Sequence, residues 1–293
     1  MYTCMVSPIC VAAINSNVPK WLRWLSAAAL ALATLTIVLT VSRAGAPTFV
    51  IAVLGATAFC MTWKITFKKV LATAVIVLGL AFIGLKFTDE LKERYSESTI
   101  NDEYLDERVL DSRGYYLRLA RIIVEDRFFG VGLNNWYYWV SKRYGAEVNT
   151  PYADYDNIPP DLTNEDDNEM LFAAPAHNLG ALTVGELGVP GLFILALVWV
   201  RWFQMGATFL WKKNPTAMRQ LGIGILFAIL AVFLQSLTEW TFRQTQIHLT
   251  FYAALGVLAS LYRIRRKERM AAVAERAREE NQLPYELAPA PAV

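Results

Sequence analysis

Residues 24–63 read WLSAAALALATLTIVLTVSRAGAPTFVIAVLGATAFCMTW, and the only charged side chain among them is Arg43, near the middle. Crossing about 30 Å of hydrocarbon takes about 20 largely apolar residues in a helix. The runs 24–41 and 44–63 both answer to that description, with Ser42-Arg43 between them. In lipid every backbone polar group must bond within its own segment, so such runs read as helices. The stretch is therefore a helical hairpin in a membrane with Arg43 at its tip. Working outward, similar runs occupy 70–85, 178–200, 220–238 and 244–262. The run 70–85 is short, but Lys69 and Lys86 flank it, and their long stems can reach the headgroups. The run 178–200 carries Glu186, and its exit is blurred because apolar residues resume after Arg201 and continue to Trp211. The expected fold is an all-α integral membrane protein with about six transmembrane helices and one long, partly helical outer (periplasmic) loop.

Composition supports this class. Of 293 residues 55% are hydrophobic and 18% charged, with nine Trp and a net charge of +2, where a soluble domain carries about 25% charge. Mean hydropathy is +0.31. A soluble enzyme, a disordered chain and a nucleic-acid binder are all disfavoured. Cys4, Cys10 and Cys60 form neither a disulfide framework nor a zinc pattern. Two His exclude a multi-histidine metal centre, and no cofactor is expected. No basic segment precedes the apolar stretch 5–14 and no cleavage site follows it, so it does not read as a signal peptide.

Lys and Arg in short loops set orientation. Lys20 and Arg23, then Lys64, Lys68 and Lys69, then Lys212, Lys213 and Arg219, then Arg263 to Arg269, all fall on one side if there are six spans. The alternate loops hold only Arg43 and Arg243. This predicts a cytoplasmic segment over 1–23, three spans within 24–87, a large periplasmic loop over 88–176, three spans within 177–262 and a basic cytoplasmic tail over 263–293. Both termini are then cytoplasmic. The loop 88–176 has a net charge of −10, which is compatible with export but does not argue for it. The tail reads as helical to about Asn281, then as a Pro/Ala-rich end. No inverted half-repeats are evident, and the spans hold almost no ionisable residues beyond Glu186 and Arg201, which argues against a transporter or channel.

A loop of this length is more than a connector. From Ser112, Tyr115, Tyr116, Leu119, Ile122 and Ile123 recur at helical spacing while Arg113, Arg118, Arg121 and Arg127 take other faces. This predicts an amphipathic helix suited to lie along the membrane surface. A glycine turn, Gly130-Val131-Gly132, leads to Trp136-Tyr137-Tyr138-Trp139, which suits interface packing and also suits stacking on sugar rings. The polar stretch 150–169 contains Asp154-Tyr155-Asp156, a superficial match to the acid pair of nucleotide-sugar transferases, whose substrates are cytoplasmic. Residues 161–169 lack calcium-loop spacing, and the stretch reads as a solvated rim.

Candidate chemistry lies where outer loops meet the membrane. Arg43 follows the first span, Arg113 opens the amphipathic helix, and His177 precedes the fourth span. Arginine grips phosphate oxygens with a planar fork, and histidine exchanges a proton near neutral pH. Together they can hold a pyrophosphate and activate a hydroxyl. Each also has a plainer reading, as a headgroup anchor for the arginines and a helix cap for His177. Glu186, an acid in a span, is a candidate by its cost alone. Glu239 and Arg243, four apart in a tight outer turn, read as supporting residues or a local ion pair. Arg118 and Arg121 are further supporting candidates.

These residues resemble a known family. Thr40-Val41-Ser42-Arg43-Ala44-Gly45 is similar to its Ser-Arg-Gly/Ala signature. Arg113-Gly114-Tyr115-Tyr116, with Asp126-Arg127-Phe128-Phe129-Gly130-Val131-Gly132, resembles its Arg-x-x-x-aromatic and Asp-x-Pro-x-x-Gly-x-Gly run, Arg127 standing where Pro is usual. Ala176-His177-Asn178-Leu179, with Glu186-Leu187-Gly188-Val189-Pro190-Gly191, resembles its His-Asn…Glu-x-Gly-x-x-Gly block. The order of the blocks is that of the O-antigen ligase and polysaccharide-polymerase superfamily. The resemblance covers roughly residues 21–262 and corresponds to the C-terminal half of the family's usual ten to twelve spans. It implies a second chain or a preceding half.

The resemblance further implies metal-independent, inverting glycosyl transfer at the periplasmic face of a bacterial inner membrane. The donor would be a glycan on undecaprenyl diphosphate. The acceptor would be lipid A–core, a protein or another glycan. Arg43 and Arg113 would bind the pyrophosphate and His177 would deprotonate the acceptor. A repeat-unit polymerase, or a truncated non-catalytic subunit of polysaccharide assembly, are the alternatives. The only other partner expected is membrane lipid, and no nucleic acid.

Overall fold

The computed structural model describes residues 1–40, 42–61, 112–148, 175–211 and 216–282. The described residues form helices and no strand. In chain order these are α1 (Tyr2–Asn15), α2 (Lys20–Thr40), α3 (Gly45–Cys60), α4 (Arg113–Asp126), α5 (Trp136–Trp139), α6 (Leu179–Ala207), α7 (Ala217–Ser236) and α8 (Thr245–Gln282). A π turn, Val140–Tyr144, and a helical turn, Gly145–Glu147, extend α5, and a 3₁₀ turn, Thr241–Arg243, joins α7 to α8.

Among the described residues four helices are long and apolar enough to cross a membrane: α2, α6, α7 and most of α8. At the expected span 44–63 the structure has α3, an apolar helix of 16 residues, about 24 Å at 1.5 Å per residue, which is shorter than the four spanning helices. The expected span at 70–85 lies outside the described residues, as do the stretch 150–169 and the Pro/Ala-rich end after residue 282. The fourth expected span does not stop at residue 200, because α6 continues through the apolar residues to Ala207. The basic tail is helical, as its composition suggests.

The segment 1–23 differs from a simple cytoplasmic lead-in, because its first part is a buried helix. Met5, Val11 and Ala12 of α1 are buried, and α1 packs on α7, α2 and α3. The Cys4 thiol donates to the Gly45 carbonyl at 3.5 Å and accepts from Gln235 Nε2 at 3.2 Å. At the other end Gln220 Nε2 donates to the Asn15 carbonyl. Helix α1 thus runs parallel to α3 and antiparallel to α7. Its start lies where α7 ends, whereas α8 runs on past the opposite end. The described chain ends therefore sit at opposite ends of the bundle, not together. A helix of 14 residues is too short to read as a span, yet it suffices when neighbouring helices rather than lipid cover it. Gly224 permits the approach, since a Cβ there would stand 2.7 Å from Ala12 Cβ and 2.9 Å from the Pro8 carbonyl oxygen.

Helix α7 is the hub, packing on α1, α3, α6 and α8. Trp199 of α6, 5% exposed, meets Phe233 at 5.2 Å and Phe242 and Phe251 at 5.9 Å each. Basic residues gather at one end. Arg23 donates to the Ser16 carbonyl at 2.9 Å, Arg219 adjoins Gln220, and the Arg265 guanidinium lies over the Phe209 ring. The opposite end carries a second core, in which Tyr115, Tyr116, Leu119 and Ile123 of α4 pack with Trp136, Val140, Tyr144, Ala181 and Leu182. The apolar stripe of α4 is therefore covered by protein rather than laid on lipid. Periodicity identifies an apolar face but does not say what covers it. Trp136, fully buried in this core, is likewise neither an interface nor a sugar-stacking residue.

Candidate active site

Two capping side chains place the site. Ser112 Oγ accepts from the Tyr115 backbone N–H at 3.0 Å and starts α4, which puts Arg113 in its first turn. Asn178 Oδ1 accepts from the Ala181 N–H at 2.9 Å and starts α6. Its Nδ2 donates to the Leu237 carbonyl at 2.7 Å, tying the residue after His177 to the end of α7. Glu239, two residues further on, is thereby brought to the imidazole.

The centre is the Glu239 carboxylate. One oxygen lies 3.0 Å from His177 Nδ1 and the other 3.6 Å from Arg113 Nη2. Arg113 also reaches the Thr238 carbonyl at 3.5 Å. The imidazole stands between the rings of Tyr116 and Trp240, with centroids 5.8 and 5.6 Å away. The side chains of Arg113, Glu239 and His177 are 18%, 29% and 34% exposed, so the cluster is half-buried and reachable from solvent.

Glu239 and Arg243 do not form the local pair their spacing suggests. Arg243 Nη2 instead donates to Glu186 Oε1 at 2.6 Å, and Nη1 donates to Asn134 Oδ1. Glu186 is 3% exposed, and an ionised carboxylate so placed needs a charged partner. The 3₁₀ turn of residues 241–243 reverses the chain between the two residues, so each faces a different neighbour.

Glu186 stands at a break in α6. Gly188 has φ +68° and ψ −169°, and Pro190 follows in the first turn of the resumed helix. A broken helix frees backbone groups that must find partners. Here the Gly185 and Glu186 carbonyls accept from Val131 and Gly132 N–H at 2.9 and 2.8 Å, and Val189 N–H donates to the Phe128 carbonyl at 3.2 Å. The approach is backbone to backbone. A Cβ on Gly130, whose φ is +75°, would stand 2.5 Å from the Glu186 carbonyl. The Gly-x-Gly and Glu-x-Gly motifs are thus the two halves of one seam.

The other candidates fall as follows. Arg43 lies in the α2–α3 turn, where Ser42 Oγ accepts from the Gly45 N–H at 3.0 Å. The Gly45–Cys4–Gln235 chain puts this turn at the same end of the bundle as the Glu239 cluster. Arg121 forms a surface pair with Glu125 at 3.6 Å, both about two-thirds exposed, and stands apart from the cluster. Arg118 is half-buried one turn after Arg113 and does not join the Glu239 cluster among the described residues. Arg127 follows α4 with φ −135°, which a proline ring does not allow. Its guanidinium instead covers the Trp139 ring at 4.0 Å. Asn134, which contacts Arg243, has no cue in the sequence, and Asn178 stands in the His-Asn block with no role assigned to it there. The cue for Asn178 was its place just before an apolar run, the usual signature of a cap.

Asp126 pins the end of α4 to the extension of α5. The Tyr144 hydroxyl donates to its Oδ2 at 2.6 Å and Arg143 Nη2 to its Oδ1 at 3.2 Å. Tyr144's bond, then the charges of Arg143 and Arg127, hold this carboxyl below the usual range. Burial, and the bond to Asp126, push the Tyr144 phenol up. A carboxylate depressed in the fold stabilises it above the ordinary pKa of about 3.9 and loses that contribution as pH falls through the lower folded value. The melting temperature of Asp126→Asn should accordingly trail the parent by a constant margin at neutral pH, and the margin should close on acidification below about pH 4. A margin unchanged at that acidity means that another group carries the effect.

The described architecture is that of a multi-pass helical membrane protein with an imidazole–carboxylate–guanidinium cluster where its long helices meet the folded segment of α4 and α5. Residues 28–196, more than half of the chain, match the family described as O-antigen ligase, and the chain belongs to that family. Arg43, Arg113, His177 and Glu186 lie within the matched stretch, while Glu239 and Arg243 lie beyond it. Comparison with curated proteins and with solved structures gave no match.

Proposed function

We propose that the chain transfers a glycan from a lipid diphosphate, of the undecaprenyl type, to an acceptor sugar hydroxyl at the periplasmic membrane face, with inversion and without a metal. The observation that carries this reading is the contact of His177 Nδ1 with Glu239 at 3.0 Å. When Nδ1–H donates to the carboxylate, Nε2 holds the lone pair, the state a general base needs. The acceptor hydroxyl gives its proton to Nε2 as its oxygen bonds to the anomeric carbon. The bond from that carbon to the diphosphate oxygen breaks, and the lipid diphosphate leaves with the electron pair. Because diphosphate is a good leaving group, the site needs neutralising charge more than a strong acid. Arg113, and Arg43 from the α2–α3 turn at the same end of the bundle, supply that charge. Glu239 positions both the imidazole and Arg113.

The test is Glu239→Gln in the purified full chain, reconstituted with a lipid-diphosphate glycan donor. Loss of the positioning carboxylate should slow transfer by about tenfold or more, within the range that general-base catalysis commands. Transfer at the parental rate would remove Glu239, and the polarised imidazole with it, from the mechanism.

A further inference from the structure

We propose that the end of the bundle opposite Glu239 seats the phosphate of an anionic lipid headgroup on Arg265. Arg265 is 8% exposed, and its Nε and Nη1 are buried with no hydrogen-bond partner among the described residues. One face of the guanidinium lies over the Phe209 ring at 5.1 Å. Its edge borders a cavity of about 310 Å³ that Thr208, Tyr262, Arg266, Arg269 and Met270 also line. A second cavity of about 560 Å³ shares Thr208, Arg265 and Arg269 and adds Gln204 and Trp211. The charges of Arg219 and Arg269 add to that of Arg265, and Glu268 opposes them. A buried guanidinium with free N–H groups and cationic neighbours lacks an oxyanion, and a phosphate's oxygens match its planar fork.

Position favours a lipid as the source of that phosphate. Leu255 and Leu258 of α8 are buried in the bundle core, and the Arg263-Ile264-Arg265-Arg266-Lys267 run begins within two turns of them. Tyr262 and the exposed Trp211 mark the same level, where aromatic side chains sit among headgroups. Basic pockets between helices at that depth suit anionic lipids.

Native mass spectrometry of the detergent-purified full chain tests this with phosphatidylglycerol, phosphatidylcholine and inorganic phosphate as probes. Phosphatidylglycerol should bind about tenfold more tightly than phosphatidylcholine, as expected for an anionic headgroup on a basic pocket. Arg265→Gln should weaken it by about tenfold, near 1.4 kcal/mol. Arg269→Gln, an exposed cavity residue whose loss does not threaten the fold, should also weaken it. Lys267→Gln, outside both cavities, should not. Equal binding of the two lipids, or unweakened binding in both Arg265→Gln and Arg269→Gln, overturns the proposal. Full displacement of phosphatidylglycerol by inorganic phosphate overturns the lipid as the source.

Discussion

Replacing His177 by Ala is expected to lower glycan transfer by roughly 10²- to 10⁴-fold, the usual contribution of a positioned general base, while leaving the protein folded in the membrane. The imidazole is a third exposed and lies against Tyr116 at the edge of the core built around α4, so its removal opens no sealed cavity. Its loss also leaves Glu239 paired with Arg113, so no carboxylate is stranded. The effect should thus fall on rate and not on stability. Measured transfer by purified His177→Ala in vesicles, with its melting temperature as companion, separates the two. A parental rate at an unchanged melting temperature refutes the assignment of His177 as the base.

The second large effect is expected at Gly188. A Cβ there would stand 2.0 Å from the Phe128 carbonyl oxygen and 2.6 Å from the Phe129 backbone. Its φ of +68° also costs a residue with a Cβ about 1–3 kcal/mol. Backbone on both sides leaves no flexible side-chain end to yield, so Gly188→Ala must part the seam or unwind α6. Parting it strands the carbonyls of Gly185 and Glu186, and desolvated orphan groups cost about 1–3 kcal/mol each. Folded yield and melting temperature should drop sharply. Gly256→Ala is the matched control, because a Cβ there meets nothing within 4 Å, and it should show no loss. Similar melting curves for the two variants would mean that the seam contributes little.

Much of this arrangement was legible in the sequence, and what was missed has definable causes. Apolar runs gave α2, α6, α7 and α8, because a helix in lipid satisfies its own backbone and its length follows from the bilayer. The spacing of Tyr115, Tyr116, Leu119 and Ile123 gave α4. The contact of His177 with Glu239, Arg113's partner, was not legible, since no local rule joins residues 62 apart. The exchange of partners by Glu239 and Arg243 was hidden because spacing describes a continuous helix, whereas the chain turns between them. Helix α1 was missed because the length rule presumes lipid around a helix rather than other helices. The seam at Gly130 and Gly188 left only glycines as its signal. Glycine marks where two backbones meet but does not name the pair.

The short turn after α7 has a mechanical consequence. Within five residues it holds the carboxylate that orients the imidazole and the guanidinium that neutralises Glu186. Four residues apart in the chain, Glu239 and Arg243 sit on one short turn, so a shift of one grip is passed to the other. The Glu239 corner, proposed to activate the acceptor hydroxyl, and the break in α6 are thereby linked through one turn, and a displacement of either helix that flanks it reaches both.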